Sequence, residues 1–260
     1  MKIVVCIKQV PDTTEIRIDP VTNTLIRAGV PSIINPADMN AIEAAVQLKE
    51  KHGGHITVVT MGPPQAAKAL RYALSMGADE AILVSDRTFG GSDTYATSYI
   101  LSQTLKKIGN FDLIFCGKQA IDGDTGQVGP ELAEHMGISQ VTFVSGLEMS
   151  GEKISAVRSL EDVSETVEAS LPVVITVMDE LNTPRYPEIS RMVKAYATEI
   201  TVWGVDAFEA IDKTKIGLKG SPTSVKKTFA HAIEKENMEI TGESDEAKAA
   251  VMVQYLKTIL

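Results

Sequence analysis

The stretch Ile56-Thr57-Val58-Val59-Thr60-Met61, then Pro63 to Met76, then Ala81-Ile82-Leu83-Val84-Ser85 decides the fold. Two short apolar runs rich in β-branched residues read as strands covered on both faces, and the segment between them reads as a helix. Strand, helix, strand within thirty residues is a βαβ unit, which implies parallel pairing. Working outward, the pattern repeats. Ile3 to Ile7 is an earlier buried strand, and Asn35-Pro36 marks a helix start with a first-turn proline. Met39, Ile42, Ala45 and Val46 then share one helix face until Gly53-Gly54. Downstream, Ser92 to Ile108 reads as a helix, Leu113 to Cys116 as a strand and Gly126 to Met136 as a helix. Strict alternation predicts an α/β fold with a doubly wound, mostly parallel, Rossmann-like sheet.

Four extended runs follow, Val141 to Ser145, Ile154 to Arg158, Thr166 to Ala169 and Val173 to Val177, and predict antiparallel additions. A small surface hairpin is expected from Glu15 to Arg27. Beyond Pro184 the elements shorten, and a last amphipathic helix is expected near Asp245 to Leu260. Seventy residues of that kind are few for an independent core. The expected organisation is therefore an α/β domain over residues 1–190 and a C-terminal arm over residues 191–260 that packs on a partner.

The charge is unevenly placed. Residues 1–190 carry 15 Lys and Arg against 24 Asp and Glu, and residues 191–260 carry 10 against 10. An acidic domain has no long-range attraction for phosphate polymers or anionic lipid, which argues against nucleic-acid and membrane partners. Cys6 and Cys116 form no CxxC motif, which argues against a zinc site and for a reducing compartment. Only five apolar residues separate Lys2 from Lys8, fewer than a signal-peptide core needs, and no segment reaches the length of a membrane span. A cytoplasmic location is expected.

In an open parallel sheet, ligands bind beyond the carboxyl ends of the strands where the strand order reverses. Two such ends carry the same dipeptide, Lys8-Gln9 and Lys118-Gln119, so two cations and two amides are candidates to face one crevice. The stronger feature is the polar loop G-K-Q-A-I-D-G-D-T-G-Q-V-G-P at 117–130, between a strand and a helix. Its glycines admit close approach of backbone N–H groups to phosphate, and the helix start adds unpaired N–H groups and a positive dipole end. It is neither a Walker loop nor a GxGxxG fingerprint, and an ordinary capped turn is the competing reading. Gly90-Gly91-Ser92-Asp93-Thr94 also precedes a helix at a strand exit and reads as a secondary ligand loop. It is similar to the SGGxDS loop of ATP pyrophosphatases, although that motif normally follows the first strand. No catalytic constellation emerges. His52, His55, His135 and His231 are scattered, and Asp122 and Asp124 beside a helix start resemble caps more than an acid/base pair.

Several segments together resemble the beta subunit of electron-transfer flavoproteins. They are V-C-I-K-Q-V-P-D at 5–12, N-P-A-D at 35–38, G-P-P-Q-A at 62–66, M-G-A-D at 76–79, the loop at 117–130, L-P-V-V-I-T-V at 171–177 and P-R-Y-P at 184–187. The resemblance implies a heterodimer with an alpha subunit that carries its own FAD. It implies cofactor-binding roles for Cys6, Lys8, Asn35, Asp38, Met61, Asp93, Thr94, Gly117, Gln119, Asp122, Gly123, Asp124, Thr125, Gly126, Gln127, Val128 and Ser221. Partner recognition maps onto Pro187 to Met192, where Ile189 stands at the place of an anchoring leucine.

Two branches of that family differ in the beta-subunit ligand, one holding AMP structurally and the other a second FAD. The loop G-D-T-G-Q-V-G-P, S-D-R-T-F-G-G-S-D-T at 85–94 and Gly220-Ser221-Pro222-Thr223 resemble the second, electron-bifurcating branch. Its implied activity is hydride uptake from NADH, with one electron passed to ferredoxin or flavodoxin and one through the alpha FAD to an acyl-CoA dehydrogenase-like protein. A stand-alone ATP-using enzyme on the same sheet is the alternative from another class.

Overall fold

The computed structural model describes residues 1–12, 31–226 and 239–259. The expected hairpin at 15–27 and His231 lie outside them.

The parallel sheet begins with β1 (Lys2–Cys6), which pairs on one side with β4 (His55–Met61) and on the other with β6 (Leu113–Gly117). β5 (Glu80–Val84) continues outward from β4. A tiny antiparallel pair, β2 (Gln9–Pro11) and β3 (Ser32–Ile34), stands just after β1. Beyond β6 come β10 (Val173–Val177), β7 (Ser139–Ser150), β8 (Lys153–Ser159) and β9 (Ser164–Ser170), and β11 (Thr201–Trp203) joins the far edge beside β5. The nine-stranded order is β11-β5-β4-β1-β6-β10-β7-β8-β9. The sheet is mostly parallel and Rossmann-like.

Of the four late extended runs, β8 and β9 are antiparallel additions, whereas β7 and β10 pair parallel. The reason is the cover. β10 is buried along its whole length, which a strand achieves in the middle of a sheet with helices on both faces.

Alternate residues of β1 feed two cores. Ile3, Val5 and Ile7 pack with α1 (Pro36–His52) and α2 (Ala67–Met76), while Val4 and Cys6 face the side of α3 (Thr94–Ile108) and α4 (Val128–Met136). The strands thus read as continuous apolar runs because both faces are covered. Gly129, early in α4, lets that helix sit on the sheet, since a Cβ there would collide with Thr176 of β10.

Residues 182–226 stay against this sheet. They carry α5 (Ile189–Ala197), β11 and the short α6 (Gly217–Gly220). Asn40 of α1 donates its amide to the carbonyls of Asp179 and Asn182, and Arg185 grips Glu43 and Glu50 on the same helix. Residues 239–259 belong to a separate compact unit and contain α7 (Asp245–Ile259).

Candidate functional site

The chain runs from β1 outward through β4 and β5, then crosses back to β6 on the other flank of β1. The strand order therefore reverses between β1 and β6, and their carboxyl ends, Cys6 and Gly117, flank the crevice. The two cysteines face each other in register at its base, both buried. A hydrogen bond to Cys6, with burial added, pushes the Cys116 thiol well up, so Cys116 is not placed as a reactive thiolate.

Above this base lies a cleft of about 1180 Å³, bordered by Lys8, Met61, Ser85, Arg87, Gly91 and Asp122. Lys8 reaches across it, its Nζ 2.6 Å from Asp122 Oδ1. Gln9 borders it as well. Lys118 does not turn into the crevice; its ammonium lies 3.6 Å from Asp179, beyond the exit of the neighbouring β10. Thus only one of the two matching dipeptides supplies a cation there.

The loop after β6 is shaped by two left-handed residues. Asp124 and Gly126 adopt left-handed φ angles of 47° and 63°, and Gly123, Asp124 and Thr125 are exposed. The Gly123 and Asp124 N–H groups turn back onto Ala120 O at 3.2 and 2.8 Å, so the loop's donors for an anion begin at Thr125. Gln119 steadies the loop, donating from Nε2 to Asp124 Oδ1 at 3.0 Å. Gln127 occupies the cap position of α4 without a side-chain cap, so the first N–H groups of that helix have no partner from it. Val128 opens the helix.

The second loop is built differently. Asp93 caps α3, accepting from Ala96 N at 3.0 Å, and its other oxygen accepts from Thr223 N and Oγ1 at 2.9 and 2.8 Å. The Asp93 N–H donates to Ser221 Oγ at 2.8 Å. Asp93 and Ser221 are therefore neighbours, although their polar groups are largely spent on each other's segments. Burial pushes the Asp93 carboxyl up, but these donors outweigh it and hold it below the usual carboxylate range. Thr94 meets the first loop, its hydroxyl 3.0 Å from Gln127 Oε1 and 3.2 Å from Glu131 Oε1. Burial pushes the Glu131 carboxyl up.

Asn35 and Asp38 sit under the first loop. Asn35 holds the cap position of α1, but its side chain turns outward, donating to Gln119 O at 2.9 Å and accepting from Ile121 N at 3.0 Å. Asp38 accepts from Lys8 N at 2.7 Å and Gly117 N at 3.1 Å. Burial pushes its carboxyl up to about 7, against the lowering effect of those bonds.

Sequence reasoning did not single out Asp86, Arg87 or Lys68, which also border the cleft. Their signal was position: Asp86 and Arg87 follow β5, and Lys68 lies in the first turn of α2. Asp86 accepts from Thr88 N and from Val205 N, which fastens the later chain to the exit of β5. Among the described residues, no group of three or more His, Cys, Asp or Glu is placed to hold a metal, and no helix is long and apolar enough to cross a membrane.

An uncapped helix start after the first loop, with the Lys8 ammonium across the crevice, is a donor set that fits a phosphate group. A family model described as "Electron transfer flavoprotein domain" matches residues 22–207. The chain is 52% identical over 257 residues to the electron transfer flavoprotein subunit beta of Clostridium acetobutylicum, covering 99% of this chain and 98% of that protein. It is 45% identical over 258 residues to the caffeyl-CoA reductase-Etf complex subunit CarD of Acetobacterium woodii, with 99% and 98% covered. It is 44% identical over 260 residues to the protein FixA of Azorhizobium caulinodans, with 97% and 92% covered.

Proposed function

The chain belongs to the electron transfer flavoprotein family, among its beta subunits, and on that premise we propose that it holds FAD at the β1/β6 crevice and, with an alpha subunit, carries electrons from NADH to ferredoxin or flavodoxin and to an acyl-CoA dehydrogenase-type protein. The observation that carries the FAD reading is the size of the cleft. At about 1180 Å³ it exceeds the roughly 300–1,000 Å³ usual for drug-sized ligands, and it extends from the first loop past the exits of β4 and β5. AMP would leave that extension unused. The likeness to a subunit of a caffeyl-CoA reductase-Etf complex supports the same reading.

When bound, the flavin supplies two-electron uptake and one-electron release; the chain holds and orients it. The loop from Thr125 to Val128 offers N–H groups to the diphosphate, the Gly123 and Asp124 N–H groups being spent on Ala120 O, and Lys8 offsets its charge. Met61 forms part of the floor. Asp93, Thr94 and Ser221 stand on the flank toward the far part of the ligand. No side chain here is assigned a catalytic role.

Two exposed surfaces fit the partner assignments. On α5, Ile189, Met192, Val193 and Tyr196 recur at helical spacing on one exposed face, with Ile189 80% exposed. This stripe, together with Tyr186, is the proposed docking site of the acyl-CoA dehydrogenase-type protein. Apart from that stripe, residues 191–260 are the proposed arm toward the alpha subunit, with Val251, Met252, Val253, Tyr255 and Leu256 exposed along α7.

The test is to co-purify the chain with its alpha subunit, release the ligands with acid and count them. Two FAD per heterodimer is the expected result. One FAD plus one AMP defeats the bifurcating role and leaves the beta-subunit assignment, whereas ATP turnover by the isolated chain favours a stand-alone enzyme.

A further inference from the structure

Beyond their last paired residues, the two central strands part. Ile7 N–H donates to Val59 O of β4 at 2.9 Å, while Lys118 N–H donates to Val177 O of β10 at the same distance. Each strand thus continues toward its outer neighbour, and the sheet ladder stops holding β1 to β6 where the crevice opens. One carboxylate ties the two strand exits directly, main chain to main chain; Asn35, which donates its N–H to Lys8 O and holds Gln119 O and Ile121 N, and the Lys8–Asp122 pair join the same sides farther out. Asp38 Oδ2 accepts from Lys8 N at 2.7 Å and Oδ1 from Gly117 N at 3.1 Å. An acidic residue in the first turn of a helix ordinarily serves that helix's own N–H groups; Asp38 serves two strand exits instead.

We propose that Asp38 is a positioning residue that sets the width of the crevice by tying the exits of β1 and β6 together, and that it does not touch the bound nucleotide. The residue is 6% exposed, and both of its oxygens are engaged. The space in front of it is filled from the protein side, since a Cβ on Gly117 would collide with Asp38 Oδ1 and Ala37. Asn35 extends the same frame by one step. It is 1% exposed, and its amide holds Gln119 O and Ile121 N, so the loop beyond Gly117 leaves in a fixed direction. The Asp38 carboxyl is pushed up to about 7 by burial, the cost of placing a group there for its two acceptors. The ionisable groups facing it are the Lys8 ammonium and the Cys116 thiol.

The inference rests on the nucleotide-holding reading for its consequence, but its geometry is testable apart from it. In the heterodimer with the alpha subunit, Asp38→Asn keeps the shape and replaces one acceptor by a donor, so only one of the two N–H groups retains a partner. Amide exchange at whichever of Lys8 and Gly117 loses its acceptor is expected to quicken by about 10-fold or more, both with nucleotide present and after its removal, while Val5 and Phe115 stay protected. Nucleotide retention should fall with it. Exchange unchanged at both amides in the stripped complex overturns the proposal, and nucleotide loss without faster exchange overturns it too by assigning Asp38 to ligand contact. If the variant does not fold, the unaltered complex gives the answer: the amide resonances of Lys8 and Gly117 should move with one shared pH midpoint, and separate midpoints overturn the tie. A wild-type heterodimer without adenine nucleotide would sink the functional reading while leaving these outcomes decisive.

Discussion

The loops ahead of α3 and α4 look alike in sequence, both polar and glycine-bearing at a strand exit, yet they differ in how the helix start behind them is satisfied. Asp93 caps α3 and ties it to Ser221 and Thr223, so that helix start is occupied by protein. α4 has Gln127 at its cap position and no side-chain cap, and its loop is held from beneath by Asn35 and Asp38, with only the Gly123 and Asp124 N–H groups turned back onto Ala120 O. A glycine-rich approach to a helix is thus not enough to mark an anion site. The deciding feature is whether another part of the chain has already taken the N–H groups.

The two aspartates also differ in charge behaviour, and this gives the largest expected effect. Asp38 is pushed up to about 7 and Asp93 is held below the carboxylate range. Between an unfolded carboxyl near 3.8 and a folded one near 7, the native state keeps a proton at Asp38 that the unfolded chain has lost. Stability from this group is therefore present below about pH 4 and lost as pH rises through 7, by up to roughly 4 kcal/mol. The Asp93 contribution runs the other way, present at neutral pH and lost only on acidification. Denaturation curves of wild type, Asp38→Asn and Asp93→Asn across pH 3 to 8 should show slopes of opposite sign removed by the two changes. A common sign would break the contrast.

Substitution under the open loop comes next. Gly129→Ala drives a Cβ into Thr176 and should cost about 1–3 kcal/mol, read by chemical denaturation. Gly126→Val forces a β-branched side chain into a φ of 63°, a strain of roughly 1–2 kcal/mol, and should lower nucleotide retention in the heterodimer, measured by released ligand per protein. Asp93→Ala removes a cap at about 1 kcal/mol and should expose 217–223 to proteolysis while reducing nucleotide retention less than Gly126→Val does. The reverse ranking would make the second loop the principal site. Lys8→Met is expected to be the mildest for stability, within about 1 kcal/mol, because the Lys8–Asp122 pair is half exposed.

Much of this was legible beforehand, for reasons local to the chain. β-branched apolar runs separated by helical periodicity read as covered parallel strands, and the matching dipeptides singled out the exits of β1 and β6. The loop at 117–128 announced itself through glycine and its place between strand and helix. Other features had no local signature. Lys118 shares its dipeptide with Lys8 but turns to Asp179, because β10 enters the sheet beside β6 after a long excursion through β7, β8 and β9. Likewise, Asn35 reads as an ordinary cap, and its use on Gln119 and Ile121 depends on residues more than eighty positions away.

The amino-acid order by itself determined the alternation of strands and helices, the doubly wound sheet and the region of the crevice, since these follow from short-range periodicity and from burial of apolar faces. Only the tertiary structure decided which helix start remains open, which lysine faces the cleft and what spans the gap between β1 and β6. Those outcomes depend on which distant donor or acceptor arrives within about 3 Å, the range over which a hydrogen bond acts, and no local pattern encodes that meeting.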